Sequence, residues 1–73
     1  MHVNDRLIQT TIVEALDRSG ALTMDSLYKR VKKLHGDLGS KFFNDTLMTM
    51  ELQGLIKVYN MSKDKRRIEL ARR

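Results

Sequence analysis

The side chains in this sequence best able to do chemistry are cations. Lys63, Lys65, Arg66 and Arg67 fall within five consecutive residues, and such a cluster on a projecting loop can neutralise several neighbouring phosphates of a polyanion with little burial of its own. Lys29-Arg30-Val31-Lys32-Lys33 is a second basic run, in which Arg30 and Lys33 are candidates for phosphate contacts and a solvated helix face is the plainer alternative. Lys41 follows Ser40, a residue suited to capping a helix, and free backbone amides after such a cap attract anions. Asn44 carries the donor and acceptor that match an adenine edge; Asp45 beside it would repel phosphate unless it accepts from a cytosine amine.

Other chemistries find less support. His2 and His35 are the only histidines and there is no cysteine, so the spacing of a zinc site is missing; His35 is better placed to favour a helix C-terminus through the dipole. No glycine-rich loop follows a strand, and no nucleophile and base are grouped as catalysis requires. The expectation is a binding protein rather than an enzyme, with no cofactor, no metal and no small-molecule ligand.

A chain of 73 residues has room for one core, and a domain of that size buries only about 60% of the surface its unfolded chain exposes. Its 41% hydrophobic and 32% charged residues are those of an ordinary globular protein. Charge is distributed unevenly: residues 1–27 hold two basic and four acidic side chains, residues 28–73 twelve and five. A polyanion would therefore lie along the second half. No apolar run approaches the roughly 20 residues of a membrane span, and Met1-His2-Val3-Asn4-Asp5 lacks the pattern of a signal peptide, so the expected location is cytoplasmic, without membrane contact.

The elements that must position these residues are legible as periodicities. A helix is predicted over 5–18, capped by Asn4 or Asp5, with Ile8, Thr11, Ile12, Ala15 and Leu16 as its buried face and Gly20 past its end. Val3, Thr10 and Val13 lie elsewhere on that wheel, as core-edge packing or a second contact surface. Ala21-Leu22 can add a short extended pair to a sheet. Thr23 reads as the cap of a helix over 24–35, with Asp25 in its first turn, Leu27, Val31 and Leu34 inward, and Gly36 as its stop. Gly36-Asp37-Leu38-Gly39 is turn chemistry, and Ser40 caps a third helix over 41–53 that buries Phe43, Thr46, Leu47 and Met50 and ends at Gly54, with Leu55 folding back. The period then becomes two: Ile56, Val58 and Asn60 alternate with Lys57, Tyr59 and Met61, Ser62-Lys63-Asp64-Lys65 forms a polar loop, and Ile68 and Leu70 share a face on the return, giving a hairpin over 56–71. Tyr59 suits either cross-strand packing or stacking on a base.

The order helix, short strand, helix, helix, strand, strand, with Leu47-Met48-Thr49-Met50-Glu51-Leu52-Gln53-Gly54-Leu55-Ile56 at its centre, resembles the winged helix-turn-helix family across nearly the whole chain. The fold class expected is mainly α with a small β-hairpin, an α+β domain spanning 1–73. The resemblance implies double-stranded DNA binding by a small transcriptional regulator, with the third helix in the major groove and the loop from Ser62 to Arg67 on the backbone or minor groove. The nucleic-acid set is then Ser40, Lys41, Asn44, Asp45, Lys63, Lys65, Arg66 and Arg67, with Arg30 and Lys33 in support. The same family also serves RNA binding and protein docking. On the helix side opposite Phe43 stand Met48 and Leu52, which with Val13 form an alternative protein-docking surface unless a different helix rotation buries Leu52. A homodimer and a protein partner stay open beside DNA.

Overall fold

A computed structural model describes residues 5–71; the possible cap Asn4, and His2 and Val3, lie outside them. The elements are α1 (Asp5–Ser19), β1 (Ala21–Thr23), α2 (Met24–His35), α3 (Ser40–Leu52), β2 (Ile56–Ser62) and β3 (Lys65–Leu70), so the architecture is α+β with three helices and one three-stranded sheet among the described residues. The sheet is antiparallel, in the order β1-β3-β2.

Each helix buries the stripe its spacing dictates. Ile8, Ile12, Ala15 and Leu16 of α1, Leu27 and Val31 of α2, and Phe43, Leu47 and Met50 of α3 meet Ile56 and Ile68 from the sheet in one apolar cluster. The hydroxyl of Thr46 is buried there at no cost, because it donates to the Phe42 carbonyl at 2.9 Å.

Two inward assignments change. Leu34 is 66% exposed, although the equally spaced Phe43 and Met50 of α3 are both buried, because this last turn of α2 runs beyond the core. Thr11 is only half-buried, and its hydroxyl pairs with Nε2 of His35 at 2.7 Å, tying the end of α2 to α1. His35 thus has a tertiary partner besides its place in the last helical turn.

The helix ends follow their residue types with one exception. Thr23 caps α2, its hydroxyl accepting from the Ser26 amide at 3.2 Å, and the Gly36 amide closes the other end on the Lys32 carbonyl at 2.8 Å. At α3 the cap position is Gly39, which has no side chain to offer, and Ser40 is already the first helical residue. The exit of α3 is doubly bonded: the Gly54 amide donates to Glu51 and the Leu55 amide to Met50, at 3.0 and 2.9 Å. Gly54 adopts φ +79°, and a Cβ there would meet nothing within 4 Å. Gly54→Ala is therefore expected to cost only the backbone penalty of the left-handed conformation, about 1–2 kcal/mol, read as a lowered urea midpoint with an unchanged slope.

Candidate nucleic-acid interface

The site is built at the start of α3 and the tip of the β2–β3 hairpin. Entry into α3 is set by Asp37, one of whose carboxylate oxygens accepts from the Tyr28 hydroxyl at 2.8 Å and from the Gly39 amide at 3.1 Å. The Tyr28 ring packs on Phe43, centroids 5.0 Å apart and tilted by 48°. The hydrogen bond from Tyr28, then that from Gly39 and the nearby charge of Lys32, hold the Asp37 carboxyl below its ordinary pKa, while the same bond raises that of Tyr28. With Phe43, Leu47 and Met50 turned inward, the rotation of α3 is determined and Asn44 is left exposed on the side toward the hairpin.

The hairpin turns at Lys63-Asp64, between the paired residues Ser62 and Lys65. No non-glycine residue among those described has positive φ, so the turn is not of the primed type that matches strand twist; Met61 is an extra residue in β2, and this bulge takes up the mismatch. Between tip and helix lies a cleft of about 490 Å³, bordered by Asn44, Lys63, Lys65 and Arg66 and also by Asp25 and Asp64.

The structure thus gathers four of the expected site residues and disperses the others. Lys41 and Asp45 pair with each other at 3.0 Å on the exposed side of α3, so each carries a neighbouring counter-charge. Arg67 points to the opposite sheet face from Arg66 and pairs with Glu69 at 3.1 Å. Ser40 is exposed in the first turn of α3, outside the cleft border. Arg30 belongs elsewhere, in a shallow depression with Glu14, Arg18 and Leu34 between α1 and α2, and Lys33 is exposed on α2 outside the cleft. Arg30 departs because, five residues after Asp25, it sits more than a third of a turn around the helix.

Asp25 and Asp64 are the residues that reasoning from sequence missed. Asp64 stands in plain view within the basic run; Asp25 reaches the site only because β1 pairs with β3, Thr23 opposite Arg67, which brings the start of α2 beneath the hairpin. One and two turns beyond Asn44 along α3, Met48 is 60% and Leu52 83% exposed, so the rotation that would bury Leu52 is not adopted. Val13 is half-buried against the core and shares a shallow groove with Thr10 and Leu55.

No family model matches this chain, and neither the curated proteins nor the solved structures contain a match. Among the described residues no helix is long and apolar enough to cross a membrane.

The geometry at Asp37 makes a pH prediction. Since its pKa is lower folded than unfolded, its contribution to stability is present above the ordinary aspartate range and is lost as pH falls through the depressed value. Urea midpoints are expected to fall in acid for the wild type, whereas Asp37→Asn should start lower at neutral pH and decline less. An equal decline in both proteins would contradict this.

Proposed function

We propose that this chain is a winged helix that binds double-stranded DNA through α3 and the β2–β3 hairpin, in the manner of a small transcriptional regulator. The observation that carries the reading is the shared cleft: Asn44, a residue suited to a base edge, faces Lys63, Lys65 and Arg66, cations that form no ion pair among the described residues. The carboxylates of Asp25 and Asp64, on the border of the same cleft, would oppose phosphate, so the backbone of a duplex is expected along Lys63, Lys65 and Arg66, its cationic rim. Lys41 and Arg67 then contribute less than their charge suggests, each being already balanced by a carboxylate.

A second reading, protein docking, is favoured by the exposure of Met48 and Leu52, two large apolar side chains on one face of α3. Flexible methionine beside leucine is a composition suited to protein contacts.

One titration separates the two: anisotropy of a labelled random duplex against salt. Under the DNA reading the wild type binds with a dissociation constant of about 10⁻⁴ to 10⁻⁶ M, and each lost phosphate contact flattens the log–log salt slope by about 0.9. The triple variant Lys63→Ala, Lys65→Ala, Arg66→Ala is expected to flatten it by about 2–3, while Arg30→Ala leaves it nearly unchanged. Leu52→Ser, two turns beyond Asn44 at the exit of α3, should bind DNA as the wild type does. Absence of binding at low salt would discard the DNA reading and leave protein docking as the function.

A further inference from the structure

Beyond the cleft, the sheet has a second feature that the proposed function leaves unused. β2 is an edge strand, seven residues long, with β3 on one side and, among the described residues, no strand on the other. The direction of its backbone groups follows from one bond. The Ala71 amide donates to the Leu55 carbonyl at 2.9 Å, and these residues continue the register in which Ile56 faces Leu70. Because bonded and non-bonded pairs alternate along an antiparallel ladder, Lys57 and Tyr59 turn their backbone groups toward β3, whereas Ile56, Val58 and Asn60 turn theirs away from the sheet. The alternation also explains how Ile68 is free to pair with Leu22 on the other side of β3. Among the described residues no hydrogen-bond partner meets the outward groups of β2, and a groove of about 700 Å³ bordered by Glu51, Leu55, Lys57 and Tyr59 opens beside them.

From this geometry we infer that the edge of β2 pairs with β2 of a second copy of this chain, antiparallel about a two-fold axis at Val58. Val58 is the middle of the three residues whose backbone faces outward, and centring the axis there engages all of them before the bulge at Met61 bends the strand away. Val58 then bonds Val58 of the other copy, and Ile56 bonds its Asn60. Lys57 falls opposite Tyr59 of the other copy in a non-bonded pair, the closer kind, where side chains meet most directly. A lysine on an edge ordinarily deters pairing; here the symmetry sets it against a half-exposed aromatic ring, a favourable cation–π partner. The same symmetry lays the exposed Leu55 end of each strand beside the exposed Met61 end of the other. A foreign strand could satisfy the backbone alone, but the match of Lys57 to Tyr59 belongs to the chain itself, as an isologous contact requires. In the resulting continuous sheet the two cationic hairpin tips lie at opposite ends, separated by about 40 Å at the usual strand rise.

A strip this narrow belongs with small, weak interfaces, so sedimentation equilibrium without nucleic acid is carried to about 1 mM, the weak end of measurable affinity. The absence of DNA keeps its outcome separate from that of the salt titration. The expected result is a monomer–dimer equilibrium in the wild type. Asn60→Pro removes an outward amide without touching the bonds to β3, and should remain monomeric while the Lys57 and Tyr59 amides stay protected from hydrogen exchange. Tyr59→Thr keeps the strand and removes the ring, weakening the dimer about tenfold through two symmetric contacts. Should the proline variant fail to fold, exchange in the wild type decides: Val58 and Asn60 amides whose protection rises with concentration support the pairing. A wild type that stays monomeric at about 1 mM, a dimer indifferent to Asn60→Pro, or protection independent of concentration would overturn it.

Discussion

The arrangement depends above all on the two-sided pairing of β3. Ile68 is fully buried, opposite Leu22 on one side and Val58 on the other, and all three belong to the apolar core or pack against it. Slipping β3 by one residue would exchange its faces, bringing Arg67 and Glu69 inward and Ile68 and Leu70 out. Burial of a side chain such as Ile68 is worth about 1.5–3 kcal/mol, and the slip would forfeit it while burying charge. The register is therefore stringent, and it is the register that delivers Arg66 to the cleft beside α3 and sends Arg67 to the opposite face.

The distribution of ion pairs follows from the same framework. Lys41 meets Asp45 one helical turn on, a largely exposed pair, and Arg67 meets Glu69 two residues along the same strand face, a half-exposed one. Exposed pairs of this kind add little to stability, about 0–1 kcal/mol each, but they cancel local charge. Outside these two pairs, Lys63, Lys65 and Arg66 extend into solvent at the hairpin tip, and Lys29, Arg30, Lys32 and Lys33 do so along α2. The positive charge is thus divided between the hairpin tip and α2, and at the tip Asp25 and Asp64 reduce it.

Much of this was readable from local periods and caps. The stripes of α1 and α3, the cap at Thr23, the glycine exit of α3 and the change of period at Ile56 each rest on neighbours within one or two turns, and those short-range rules determine them. What escaped depends on distant partners. Nothing near His35 announces Thr11, which lies 24 residues away, and nothing near Asp25 announces the hairpin. Leu34 follows the apolar spacing faithfully yet stays exposed because α2 outlasts the core it packs on. Arg67 is a different case: its separation from Arg66 follows directly from the period of two in a strand, once 66–71 is read as one.

The two partner chemistries read from α3 compete less than they first suggest. Asn44 and Leu52 are eight residues apart, so at 1.5 Å per residue they lie about 12 Å apart along the axis, with Asn44 next to the hairpin and Leu52 at the exit toward Gly54. The helix also rotates by about 80° between them, so Asn44 flanks the cleft while Leu52 stands nearly opposite the core, with Met48 between the two. A polyanion held along the cationic rim would engage the first two turns of the helix and leave the last uncovered. An apolar contact at Leu52 would in turn leave the cleft open. One short helix, fixed by three buried side chains, therefore presents a polar end and an apolar end that can be occupied at the same time.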